Sequence, residues 1–140
     1  MSPVAPSAAE LLRNPLVDAA IDAAWVDSQA DDPVRRHEEG GWIYYELSSG
    51  QISVIRAQSG ERGIINLKTP PELSGCIVVG KFHTHPNPTA EGWDPGPSVD
   101  DELTDDLHGV PDLIRSDQGM FTSGPDTRRG GLGGRPGYPD

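Results

Sequence analysis

The chain has 140 residues, of which 22 are acidic and 11 basic, giving a formal charge of −11. That length suits one small α/β domain with its own core, and the single cysteine, Cys76, excludes an internal disulfide. The acid excess repels a phosphate backbone and argues against general nucleic-acid binding. No apolar run approaches the ~18 residues that span a membrane, and Met1–Pro6 lacks the basic and apolar regions of a signal peptide. The chain is therefore expected to be cytoplasmic, or secreted without a cleavable signal as part of a larger effector.

Residues 1–14 form an expected N-terminal arm, 15–125 the domain, and 126–140 a Gly/Pro-rich tail expected to be disordered. Ser7-Ala8-Ala9-Glu10 has the form of a capping box, hydroxyl first and carboxylate three positions later, and predicts a short helical turn through Leu11 and Leu12. Asn14-Pro15 starts a second helix, with Asn as N-cap and Pro in the first helical position. Over Leu16–Val26, Leu16, Ala20, Ala23 and Ala24 mark an apolar stripe with Val17 and Ile21 beside it. Asp31-Asp32-Pro33 closes that segment.

A β-rich stretch follows. Trp42–Leu47 is aromatic and β-branched, Ser48-Ser49-Gly50 is a turn, and Gln51–Arg56 alternates polar and apolar residues as a half-buried strand does. Gly63–Leu67 is a third expected strand, ended by Thr69-Pro70-Pro71. Cys76–Phe82 is the most apolar strand and should be central, with Cys76 as a small core residue. Trp42, Tyr44 and Tyr45 are expected in the core and on the sheet face. A Pro- and Gly-rich loop, Asn87–Pro97, leads to a short acidic helix from Ser98 to about Leu107. Asp112–Arg115 and Met120–Thr122 then form a hairpin about Ser116–Gly119.

The chemistry concentrates at His83-Thr84-His85-Pro86. Two histidines two apart on a strand face the same side, and Pro86 puts them at the strand end, where both can reach one metal ion. Catalytic zinc takes three protein ligands and keeps a position for water, so a third ligand is required. Asp94, Asp100 and Asp101 are all candidates. His-x-His also occurs in amidohydrolases, metallo-β-lactamases and cupins. The chain is too short for the barrel of the first, and Pro86-Asn87 does not suit the second. A cupin would draw on Glu91 and His108.

His83-Thr84-His85-Pro86 followed by Ser98-Val99-Asp100-Asp101, with Glu38-Glu39-Gly40-Gly41 upstream, resembles the signature of the JAMM metalloprotease family, and most nearly its small bacterial JAB-like domains. The resemblance covers roughly residues 16–125. It implies a mixed, mostly antiparallel sheet with flanking helices, cytidine-deaminase-like in outline, the JAB/MPN fold. It implies Zn2+ held by His83, His85 and Asp101, with Asp101 chosen because it alone completes Ser-x-x-Asp with Ser98. Glu38 would be the general base and Ser98 the donor to an oxyanion, with Glu39 a rival for the first role. The implied activity is hydrolysis of a peptide or isopeptide bond in a protein or peptide substrate, in a ubiquitin-like system or a toxin-associated effector. The alternative is a non-catalytic JAB-like binding module. The loop Asn87–Pro97 is longer than the family's usual one.

Plainer accounts exist for each part. Ser98 and Asp101 alone make a helix cap, and Glu38 and Glu39 alone would be solvated loop charges. His37 and His108 are expected in solvent. Asp100, Asp101, Glu102, Asp105 and Asp106 are expected on a solvated helix face rather than in a second metal site. Trp93 either lines a groove or pins its loop.

Overall fold

The computed structural model describes residues 5–129. Three helices, α1 (Ala8–Arg13), α2 (Pro15–Asp27) and α3 (Val99–His108), accompany five strands, β1 (Gly40–Glu46), β2 (Ile52–Arg56), β3 (Cys76–Thr84), β4 (Asp112–Ser116) and β5 (Gly119–Ser123). The strands form one sheet in the order β2-β1-β3-β4-β5. Only β3 and β4 run parallel, joined by the crossover through α3; the other neighbours are antiparallel. The chain is thus α/β with a mixed, mostly antiparallel sheet, and β3 lies at its centre as its apolarity requires.

The expected caps are formed. Ser7 and Glu10 close a reciprocal capping box on α1, and the Asn14 side chain accepts from Leu16 N and Val17 N at the start of α2. The buried line of α2 differs from the expected one. Val17, Ile21 and Ala24 face the core, while Leu16 is exposed. Val17, Ile21 and Ala24 fall at i, i+4 and i+7, which makes a tighter stripe than one starting at Leu16. Ala8 and Leu11, from the expected N-terminal arm, belong to the same core with Ile43, Val79, Phe82 and Leu113. The start of the expected tail also lies against the body: Asp126 O accepts from Ala8 N at 2.8 Å and Arg128 Nη1 donates to Val78 O at 2.8 Å. Residues 130–140 of that expected tail lie outside the described residues.

Gly63–Leu67 does not form the expected strand. The segment between β2 and β3 crosses the second face of the sheet as irregular chain, with no neighbouring strand to share a ladder. Its Leu67 side chain buries against Trp42, Tyr44, Val78 and Val110. Its carbonyls take the polar ends of the aromatic residues: Trp42 Nε1 donates to Leu67 O at 3.1 Å and Tyr44 OH to Pro71 O at 2.6 Å. The β-like composition here serves as a cover, and two of its carbonyls accept from side chains of the sheet instead of from a ladder.

One irregularity in β3 decides where the histidines point. Ile43 pairs with Gly80 and Tyr44 with Val78, so Val79 is an extra residue, a β-bulge. Before it, Ile77 and Val79 pack on the α1/α2 side. After it, Gly80 and Phe82 take that side; a Cβ on Gly80 would meet Leu11 Cδ1 at 2.9 Å. Lys81 and His83 are left to face the other layer, where α3 and the irregular cover lie.

Candidate metal centre

Four side chains from three segments converge at the end of β3. Glu38, His83 and His85 each offer a ligand atom, all within 4.8 Å of one another, and this buried group could hold a metal ion. Asp101 closes the other side. Its Oδ2 is 3.1 Å from His85 Nε2 and its Oδ1 is 3.5 Å from His83 Nε2, while the two Nε2 atoms are 3.1 Å apart. Ligands about 2.0–2.1 Å from a tetrahedral ion sit ~3.3 Å from one another. Two imidazole nitrogens and a carboxylate at such spacings suit a borderline ion such as zinc.

Each group is held from behind. Glu38 is fixed by its backbone, its N–H donating to Glu61 O at 2.7 Å and its carbonyl accepting from Gly60 N at 2.8 Å. Next to it, Glu39 N donates to Thr84 Oγ1 at 3.0 Å, and Thr84 N donates to Glu39 O at 2.9 Å. Thr84 Oγ1 in turn lies 2.5 Å from Ser28 Oγ at the end of α2. Gly40 is required beside this junction, since a Cβ there would sit 2.3 Å from Phe82 O. Asp101 is positioned by a second capping box, in which Ser98 Oγ accepts from Asp101 N and Ser98 N donates to Asp101 Oδ2, both at 3.0 Å.

The two glutamates have different surroundings, and neither is the solvated loop charge that its immediate sequence suggests. Glu39 is buried, and its carboxylate is engaged by Arg56, Ser59 and His37 rather than by His83 or His85. Burial opposes its charge, but hydrogen bonds from Ser59, Arg56 and His37 outweigh that and lower its pKa. Among the described residues, the Glu38 side chain has no such partners. Burial pushes its pKa up to about 7, against the pull of His83 and His85. For Asp101, burial likewise opposes ionisation, yet contacts from both histidines hold its pKa well below the carboxylate range. Of the other aspartates considered, Asp94 Oδ1 accepts from Gly96 N at 2.9 Å within its own loop, and Asp100 is exposed in the first turn of α3.

His83 has a partner that sequence reasoning missed. Its Nδ1 is 3.1 Å from Asp112 Oδ1, and both residues are buried. Burial opposes a charge on His83, while Asp112 and then Asp101 raise its pKa well above the ordinary value. Asp112 keeps the Nδ1 hydrogen in place and so leaves the Nε2 lone pair for a metal. An acid opening an otherwise apolar strand, Val110-Pro111-Asp112-Leu113-Ile114, was the available signal. Replacing Asp112 with Asn turns an N–H towards Nδ1 and favours the wrong tautomer. Metal affinity should fall about 10–100-fold, read by zinc competition against a chelating dye; unchanged affinity would remove Asp112 from the centre.

The expectations for the remaining histidines are corrected. His37 is half-buried, with Nε2 2.5 Å from Glu39 Oε2 and Nδ1 2.9 Å from Arg35 O. His108 is buried, its Nδ1 2.8 Å from Lys81 Nζ; burial and then Lys81 push its pKa down to about 4, so it stays neutral. Asp105 is also buried, not part of a solvated face, because Lys81 Nζ reaches its Oδ1 at 2.7 Å. Glu91 pairs with Arg36 at 3.1 Å, so the residues a cupin would use are not beside the histidine pair. Cys76 is half-buried, and Trp42 and Tyr44 are buried as expected.

A cleft of about 170 Å3 opens over the group, lined by Glu38, His85, Asn87, Trp93, Ser98 and Asp101 among others. Trp93 therefore lines the groove beside the site. No protein-family model, curated protein or solved structure matches the chain. Among the described residues, no helix is long and apolar enough to cross a membrane.

Proposed function

We propose that this chain is a zinc-dependent hydrolase of the JAMM type, with a JAB/MPN fold, that cleaves a peptide or isopeptide bond in a protein or peptide substrate. His83, His85 and Asp101 would hold the ion, and Glu38 would act as general base. The observation that carries this reading is the division of labour between two carboxylates about one histidine pair. Asp101 lies 3.1 and 3.5 Å from the two histidine nitrogens and is held ionised, as a ligand must be, whereas Glu38 stands beside the same pair with its pKa pushed up to about 7 by burial.

A zinc ion in such a setting supplies Lewis acidity that makes water deprotonate near neutral pH. The rest falls to the side chains. A carboxylate with a pKa near the working pH takes a proton from water and returns it to a leaving amine with little penalty in either direction; Glu38 meets that condition. The Ser98 hydroxyl accepts from Asp101 N, which leaves its own hydrogen for a carbonyl oxygen that gains negative charge. Trp93 offers an apolar wall to the substrate chain.

Metal analysis of the purified chain should find about one zinc per molecule. Zinc removed by a chelator should return on dialysis against Zn2+. A chain that remains metal-free in excess zinc ends this reading.

A further inference from the structure

A helix normally docks on a sheet through an apolar stripe. α3 does not. Val99, Leu103 and Leu107 are 72%, 64% and 50% exposed, and its only buried residues are Asp105 and His108. Both meet the same side chain: Lys81 Nζ is 2.7 Å from Asp105 Oδ1 and 2.8 Å from His108 Nδ1. Lys81 is itself buried, and it stands two residues before His83 on β3. One turn before Asp105, at the N-terminal end of the same helix, Asp101 approaches both histidines.

We propose that the buried Lys81–Asp105–His108 clasp is what positions α3, and that through α3 it sets Asp101 against the histidine pair. Lys81, Asp105 and His108 are then positioning residues for a metal ligand. A buried ion pair adds little net stability relative to apolar packing, but its geometry tolerates few alternatives. An apolar contact slides at small cost; a lysine with one carboxylate and one imidazole nitrogen to satisfy does not. The clasp fixes α3 along the strand, and the capping box at Ser98 carries that position to the Asp101 carboxylate. This inference rests on Asp101 being a metal ligand.

The test uses the full chain with Zn2+ as the probe. Asp105→Asn should weaken zinc binding about tenfold or more. In metal-free protein it should speed hydrogen exchange along α3 while the amides of β1, β3 and β4 keep their protection. The deciding comparison is made in an Asp101→Asn background. If the clasp acts through Asp101, adding Asp105→Asn there should cost less than about twofold further in affinity, because the two changes remove one effect. Equal losses in both backgrounds, or an Asp105→Asn variant that binds zinc as tightly as the parent, overturn the proposal. Should Asp105→Asn fail to fold because Lys81 is left unpaired, Lys81→Met with Asp105→Leu removes both charges and carries the same expectations. A parent that binds no zinc, or Asp101→Asn binding as tightly as the parent, overturns the premise instead. Slower binding-independent exchange in α3 of the parent than of the variant then still reports the clasp.

Discussion

Changing Glu38 to Gln should lower kcat by about 10²–10⁴-fold, the usual contribution of a positioned general base, while zinc content stays at that of the parent. The amide keeps the size and most contacts of the carboxylate but cannot take up a proton. Asp101→Asn should do the opposite, lowering zinc affinity far more than Asp94→Asn, since the Asp94 carboxylate is engaged with Gly96 N in its own loop. Glu39→Gln separates the neighbours. Glu39 binds Arg56 at 2.8 Å and Ser59 at 2.5 Å, so its loss should show in thermal stability rather than in turnover by the folded fraction. The measurement is kcat and metal content for the set on one peptide or isopeptide substrate. Full turnover by Glu38→Gln, with Glu39→Gln inactive but zinc-loaded, would reverse the assignment.

Metal-free protein should lose stability as pH rises from about 6.5 to 8, above the range in which neutral, buried His108 favours the opposite trend, and zinc should reverse that loss. Glu38 has its folded pKa raised from 4.5 to about 7 by burial. At this group the folded state therefore binds more protons than the unfolded state between those values, and its contribution to stability falls across that window. His83 acts in the same direction: its raised pKa gives stability that is complete below 6.5 and is lost as pH climbs through the folded value. Asp101, with a lowered pKa, contributes stability above 3.8 and loses it only as pH falls further. Mild acid is thus the best condition for these groups without metal. Zinc competes with the protons on the histidines, so its benefit grows with pH. At a free concentration 1,000 times Kd the gain is about 4 kcal/mol, a rise in Tm on the order of 10 °C. Thermal melts with zinc or chelator at about pH 6.5 and pH 8 check this; an equal zinc shift at both would contradict it.

Much of the architecture was legible because it rests on local chemistry. The capping boxes at Ser7 and Ser98, the Asn14-Pro15 helix start and the alternation in β2 are short-range patterns. The grouping of Glu38, His83, His85 and Asp101 was legible as a combination of motifs, although each alone had a plainer account. What was not legible depends on distant partners. Gly63–Leu67 has strand composition but no strand to pair with. His108 and Asp105 look like surface residues of an acidic helix until Lys81, far away in the chain, is brought beneath them. Lys81 was the neglected sign: a lysine inside the most apolar strand must find a counter-charge when buried. Asp112 sat in the same blind spot, since nothing near it in the chain names its partner. The choice between Glu38 and Glu39 was open for a similar reason, as Arg56 and Ser59 claim only the second.

The extra residue at Val79 makes the site a matter of parity. Side chains on a strand alternate, so the direction of every residue after the bulge depends on whether the count up to it is odd or even. A regular strand of the same nine residues would put Lys81 and His83 on the side of Leu11 and Ile43 and turn Phe82 to the acidic helix. Because Val79 and Gly80 face the same side, deleting Val79 would remove the bulge and leave Lys81 and His83 aimed as they are. Losing one residue after the bulge, such as Lys81, would reverse His83. No substitution at the metal centre is needed to abolish it; one lost codon between the bulge and the histidines is enough. The loop Asn87–Pro97, by contrast, can change length without changing that phase, because the histidines are already aimed before the chain reaches it.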